Sequence, residues 1–543
     1  MRITVLQLIC IQCCFLAVGI ARANSETPAT KPDIAAPPVQ IVPQDGGNLV
    51  IDEQVTNTYI ILKQSSPVHN WFLGTFKNVP INQEVTFGIS MEGIGGGTVT
   101  ANVTKWRGLV PLITFADITK YESNEWFTKD ERGRWISGDL FKQGEARFAG
   151  TGKVPIQHMI PDDVATEFLS KDGNYWQPWK PIDQTEVLSN LNIFRMKLKI
   201  KYPTVTLAMR IPYTCTYLSQ YVEQLRKARL PGIHIDTIGM TLEDRPLNII
   251  RVDDPEHELP LQVALQRPAP DRHPEGVIKV TPSPTPIIEN KRRTILIIAR
   301  EHSTEHASSW VVDGVLRALV ANTPAAKRLR QNTTWLLIPI EDPDGSASSG
   351  FNWLTERFYL HHGDRLYEDY TPVEAIAYAR YISTLANNGY PIDLAVTLHN
   401  IESSEGPVVY SPWAITPDME PNVNANHVWF EKLRAQGYPV GTDAPTENGA
   451  MFTRFYSWCW WIFGALGLGY EVNDQCPQRR LSLDELQQLG GSLAVSLDEF
   501  LRSNAGVARM RQTREHLQKR AEQVAETKDN HEQELYQLFV KGR

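Results

Sequence analysis

The chain has 543 residues, 42% of them apolar and 21% charged, with 14 Trp. That exceeds one ordinary core and points to about two to four globular domains. A net charge of −8 leaves no electrostatic footprint for nucleic acid, and past the N-terminus no apolar run is long enough to span a membrane.

The N-terminus reads Met1-Arg2, an apolar stretch over 3–20, then Ala21-Arg22-Ala23 before Asn24. This is the pattern of a signal peptide (1–23) cut after Ala23, an uncleaved anchor helix being the alternative. Cys10, Cys13 and Cys14 leave with it. Cys215, Cys459 and Cys476 remain, an odd number that allows at most one intramolecular disulfide and excludes a disulfide scaffold. The expected address is exported, periplasmic or secreted.

Residues 24–48 are rich in Pro, Ala, Thr and Gly and read as a flexible linker. From 49 to 215 the pattern is all-β. Phe194, Met196, Leu198 and Ile200 alternate with Arg195, Lys197, Lys199 and Lys201, a half-buried strand. Runs over 85–89, 109–115 and 205–211 fit a β-sandwich. Gly93 to Gly97 make a turn rather than a phosphate loop, because no helix pattern follows. Trp71, Trp106, Trp126, Trp135, Trp176 and Trp179 could line a sugar-binding face, although such aromatics more often pack the core and edges of a sandwich.

Residues 214–228 read as a helix bridging two halves, and 216–504 as the second domain. Runs at 233–239 and 247–252 predict a hairpin turning at Glu243-Asp244-Arg245-Pro246, and eight prolines mark 255–286 as a loop or insertion. The run 294–299 (Thr-Ile-Leu-Ile-Ile-Ala) is unbroken and apolar, as a buried central strand requires. It is followed by a helix pattern over 310–320. Strand patterns recur at 334–340, 392–398 and 465–472, with a helix at 372–385. Strands alternating with helices predict an α/β sheet covered on both faces. From Leu481 the chain is helical, and 505–543 reads as a charged helical tail, exposed with or without a fixed partner.

Three strand ends carry His302 with Glu305, His399, and Glu471. Singly, each is more often a satisfied polar residue than a ligand. Together they supply what metal-assisted hydrolysis needs: two imidazoles and a carboxylate for zinc, plus a second carboxylate beside an activated water.

At these residues the sequence resembles the zinc carboxypeptidases, and within them the cytosolic carboxypeptidase-like branch. The carrying stretches are Arg300-x-His302-x-x-Glu305 with Ser309-Trp310, Pro343-Asp344-Gly345, the strand ending in His399, and Tyr470-Glu471. Upstream, Ala208 to Thr214 resembles that branch's junction between β-sandwich and catalytic domain, and Ile238 to Arg245 its opening hairpin. The resemblance covers about 50 to 500 and implies an α/β/α sandwich around a mixed eight-stranded sheet behind an all-β domain. It further implies one Zn2+ held by His302, Glu305 and His399, with Glu471 as general base and acid, acting on a peptide or protein C-terminus.

The resemblance expects an Asn-Arg pair beyond the Pro-Asp-Gly loop. Thr355-Glu356-Arg357 stands near that place, making Arg357 the candidate grip on a terminal carboxylate, with Arg365 behind it. Arg454 lies near where the branch carries a basic pocket residue and would favour acidic C-terminal residues. Two other readings stay open: a zinc hydrolase of cell-wall peptides or N-acyl amino acids, and a catalytically silent binding protein on the same fold.

Overall fold

The structure is a computed structural model. It describes residues 37–65, 71–90, 112–114, 127–129, 135–137, 145–148, 152–155, 157–158, 164–170, 175–176, 191–200, 202–256, 292–348, 361–362, 365–366, 373–388, 390–400, 407–411, 413–414, 420–441, 447–448, 459, 463–476 and 479–526. The stretch read as a signal peptide, the Gly93 to Gly97 turn and the Pro-rich insertion beyond residue 256 lie outside them.

The N-terminal part contains two sheets. One has five strands, with Leu73–Lys77 between Gln40–Val42 and Val205–Ala208, and the other has six, with Leu191–Lys199 between Val164–Ser170 and Glu84–Ser90. The alternation read from 194–200 is realised, since Phe194, Met196 and Ile200 are buried with Phe87 and Ile89. The strand Gln40–Val42 falls inside the stretch expected as linker. It pairs antiparallel with Leu73–Lys77, and Asn48 bonds the backbone of Trp71 and Leu73. Residues 40–48 are therefore sheet edge and anchor.

The following part is a mixed α/β unit. Its main sheet comprises β1 (Ile233–Met240), β2 (Pro246–Val252), β3 (Arg293–Ala299), β4 (Thr333–Ile338), β5 (Leu394–Asn400), β6 (Val409–Tyr410) and β7 (Leu466–Val472), ordered β1-β2-β4-β3-β5-β7-β6. Eight strands were expected and seven occur among the described residues. β4, β3, β5 and β7 run parallel, and all seven residues of β3 and of β5 are buried, as befits parallel strands covered on both faces. The β1–β2 hairpin turns where expected, with Asp244 in the left-handed region (φ 59), a conformation Asp tolerates better than most residues.

Six helices matter here: α1 (Cys215–Ala228), α2 (His306–Val320), α3 (Val373–Asn387), α4 (Glu420–Ala435), α5 (Leu483–Arg502) and α6 (Asn504–Glu526). α2 and α5 cross backbone to backbone. A Cβ on Gly314 would lie 2.1 Å from the Gln487 carbonyl oxygen, and one on Gly490 would lie 2.0 Å from that of Val311. The start of α6, expected as an exposed tail, instead packs: Met510 and Arg514 are buried, and Arg514 Nη2 bonds Asp393 Oδ1 at 2.6 Å. Among the described residues no helix is long and apolar enough to cross a membrane.

Candidate metal centre

The parallel strands β3, β5 and β7 all end on one edge of the sheet, where open α/β sheets bind ligands. β3 leaves the sheet through Arg300, whose φ of 65 is rare for a residue with a Cβ. Its fully buried side chain is held by Nη1 donating to the Tyr213 carbonyl at 2.9 Å, and burial draws its pKa down to about 10. This turn starts the loop bearing His302 and Glu305, which ends as α2 begins at His306.

β5 carries His399 at its penultimate position, and β7 carries Glu471 directly in register with it. Neighbouring strands lie about 4.8 Å apart, so residues in register share a face of the sheet. Asn400 locks the arrangement. Its Nδ2 donates to the Val472 carbonyl at 2.8 Å, and its Oδ1 accepts from the Ala307 amide at 3.2 Å. One side chain thus ties together β5, β7 and the first turn of α2.

His302, Glu305 and His399 converge. Their ligand atoms all lie within 4.8 Å of one another. His302 Nδ1 is 2.6 Å from Glu305 Oε1, His399 Nδ1 is 3.1 Å from Glu305 Oε2, and the two Nδ1 atoms are 3.3 Å apart. Burial would raise the Glu305 carboxyl, but His302 and His399 beside it hold it down to about 2. Burial would lower the His399 imidazolium, but Glu305 and Glu301 push it up to about 9. Two imidazole nitrogens and a buried carboxylate oxygen crowded around one point are a donor set that fits zinc, whose catalytic sites use three protein ligands. Glu471 stands one strand away and is only half-buried.

The β-sandwich part reaches this loop. Trp71 stacks on His306 with ring centroids 3.6 Å apart and an interplanar angle of 17°, and its Nε1 donates to the Gly46 carbonyl at 2.8 Å. Trp71 is therefore buried against the metal loop and lines no sugar-binding face. The other five tryptophans of that reading have no described side chain. Burial, Arg300 and Arg210 hold His306 well below the usual imidazole range, so its neutral Nδ1 accepts from the Tyr213 amide at 2.9 Å. The junction 209–214 makes three further contacts around the centre: Tyr213 as above, Ile211 through Trp310 Nε1 at 3.0 Å, and Arg210 in a buried ion pair with Asp474, just beyond β7.

A second acidic group lies beside the loop. Glu341 is fully buried, and burial together with Glu301, Asp342 and Glu374 pushes its carboxyl well up. Arg357 and Arg454 lie outside the described residues. So does the side chain of Arg365. Sequence reading assigned Glu301, Asn400, Trp71 and Arg210 no role at this centre, although it favoured core packing for Trp71, which is buried. Glu301 was adjacent to a candidate ligand and could have been found by asking what each candidate histidine donates to.

Residues 218–443 match the zinc carboxypeptidase family, a span holding His302, Glu305 and His399 but not Glu471. Mouse cytosolic carboxypeptidase 6 is 25% identical over 134 residues, 25% of this chain and 20% of that protein. Human cytosolic carboxypeptidase 4 is 29% identical over 142 residues, 26% of this chain and 11% of that protein. The match thus spans about a fifth or less of these relatives. Two solved structures share the fold. A metallo-carboxypeptidase from Burkholderia cenocepacia has a TM-score of 0.54 at 14% identity, with 85% of this chain and 98% of that one covered. One from Pseudomonas aeruginosa has a TM-score of 0.52 at 16% identity, with 85% and 99% covered. The chain is thus similar to the zinc carboxypeptidases over residues 218–443.

Proposed function

We propose that the chain is an exported zinc-dependent metallocarboxypeptidase that hydrolyses the last peptide or isopeptide bond of a peptide or protein. The carrying observation is the convergence of His302, Glu305 and His399 within 4.8 Å, with Glu471 in register one strand away. His302, Glu305 and His399 would hold the zinc, which when bound supplies Lewis-acid chemistry that polarises a carbonyl and acidifies a water. Glu471 takes the proton of the attacking water and delivers it to the departing amine nitrogen, so one carboxylate serves as base and then as acid. Arg357 grips the substrate's terminal carboxylate through its planar fork, and its position in the sequence supports this.

A preference for acidic C-terminal residues rests on Arg454 alone. The described residues near the centre include the buried acids Glu301 and Glu341 and also the buried Arg300. Export is supported by the 1–23 pattern, in contrast to the matched relatives, which are named as cytosolic. A route to cell-wall peptides or N-acyl amino acids is favoured by Glu356 standing where the resemblance expects Asn.

The deciding experiment is mass spectrometry of a peptide library incubated with zinc-loaded protein, beside a Glu471→Gln control. Loss of single C-terminal residues, absent from the control, is expected. Intact free-ended peptides in the presence of bound zinc would overturn the carboxypeptidase reading. Cleavage of muropeptides or N-acyl amino acids in that case would establish the second one. Cleavage of a reporter fusion after Ala23, with delivery outside the cytoplasm, tests export.

A further inference from the structure

We propose that Glu301 is a positioning residue of the metal centre: it accepts the Nε2 proton of His399 and thereby turns the Nδ1 lone pair towards the metal position. The inference rests on the reading of His399 as a zinc ligand and goes beyond it by naming what fixes that ligand. His399 Nε2 lies 2.8 Å from Glu301 Oε2, with the two side chains 0% and 1% exposed, and Thr397 Oγ1 is 3.3 Å from the same nitrogen. The other ring nitrogen faces Glu305 Oε2 at 3.1 Å and His302 Nδ1 at 3.3 Å.

A neutral imidazole carries one proton and can place it on either nitrogen. With the proton on Nδ1, no lone pair would remain there for a metal, and the Nε2 lone pair would be pressed against a buried carboxylate. With it on Nε2, Glu301 gains a charge-assisted hydrogen bond, and the Nδ1 lone pair faces the point that Glu305 and His302 also face, where a cation would share all three donors. Water cannot blur this choice, since neither side chain is accessible. The left-handed turn at Arg300 makes the selection mechanical. Leaving the strand there, one short loop supplies Glu301 to one side of the His399 ring and Glu305 to the other, gripping it from both nitrogens. Metal-ligating histidines commonly donate their second N–H to a carboxylate, and loss of such a partner weakens metal binding by about 10- to 100-fold. Here the carboxylate precedes another ligand in sequence, so the same loop that supplies two ligands also orients the third.

The test compares the full-length wild type, Glu301→Gln and Glu301→Leu. Zinc affinity is measured by competition with a chromophoric chelator, and the tautomer of His399 is read from nitrogen-15 and carbon-13 histidine NMR of the zinc-loaded protein. In the wild type, the proton is expected on Nε2. Glu301→Leu is expected to bind zinc about 10- to 100-fold more weakly, and Glu301→Gln, which keeps an acceptor oxygen but loses the charge, about tenfold more weakly with the tautomer retained. Zinc affinity of Glu301→Gln within about twofold of wild type, or a wild-type proton on Nδ1, overturns the inference while leaving the ligand set standing. A wild type that takes up no zinc overturns the ligand reading and this inference with it. Should Glu301→Leu fail to fold, the near-isosteric Gln variant and the wild-type spectrum decide.

Discussion

Glu374 offers a prediction whose sign and size both follow from its surroundings. It sits in the first turn of α3, 6% exposed. Burial pushes its carboxyl up; its own backbone N–H opposes that, Asp342 and Asp344 reinforce it, and the balance lies at about 8 against an ordinary 4.5. A carboxyl raised on folding keeps a proton that the unfolded chain releases. Its contribution is therefore fully present below pH 4.5, declines as pH rises, and is lost once pH passes about 8. At about 1.4 kcal/mol per pH unit, that window amounts to roughly 4 kcal/mol at pH 8 and less than about 1 kcal/mol at pH 5. Glu374→Gln has nearly the shape of the protonated acid and no charge to bury. It is expected to be close to neutral at pH 5 and stabilising by about 2–4 kcal/mol at pH 8. Urea unfolding at both pH values, with zinc present throughout, reads this as a midpoint gap that opens between pH 5 and pH 8. Parallel loss of stability by parent and variant across that range would refute the assignment of a buried, protonated Glu374.

Other expectations are equally direct. Without metal, His399 is pushed up to about 9, so zinc must displace a proton. Apparent zinc affinity should rise about tenfold per pH unit from pH 6 to 8 and level off near 9, and calorimetry in buffers of different ionisation enthalpy should find about one proton released at pH 7; a pH-independent affinity would contradict it. Trp71→Ala removes the stack on His306 and a buried hydrogen bond and is expected to cost about 3–5 kcal/mol, whereas Trp71→Phe should cost nearer 1 kcal/mol; equal losses in thermal unfolding would show that the stack contributes nothing. The adjacent glycines of α5 should behave oppositely. A Cβ at 490 meets the Val311 carbonyl oxygen at 2.0 Å, while one at 491 finds nothing closer than Ala318 Cβ at 3.6 Å. Gly490→Ala should therefore destabilise by about 1–3 kcal/mol or more, and Gly491→Ala should stabilise by up to about 1 kcal/mol. A destabilised Gly491→Ala would mean that the crossing of α2 and α5 is tighter than drawn.

Legibility in the sequence follows the range of the interaction concerned. The run 294–299 announced a buried parallel strand because burial on both faces leaves no polar position, and β3 occupies 293–299 with every residue buried. The candidate ligands were legible because each stands at the end of such a run, and strand ends of a parallel sheet meet along one edge. What could not be read is whatever depends on contacts between distant segments. The stretch 40–48 looks like linker by composition, yet its role is decided by Trp71 and Leu73, which complete its hydrogen bonds. The stretch after 504 looks like a solvated helix by charge, yet Arg514 belongs to the core because Asp393, 121 residues away, receives it. Arg210 stands in the stretch that resembles the junction, and its burial in an ion pair depends on Asp474, 264 residues away. The stretches 40–48 and after 504 read from their own neighbourhood as facing water, while distant partners bury part of each. Glu301 depends on a distant partner in the same way: beside His302 it has no role legible in the sequence, and only the arrival of His399 from β5, at 2.8 Å, gives its carboxylate a task.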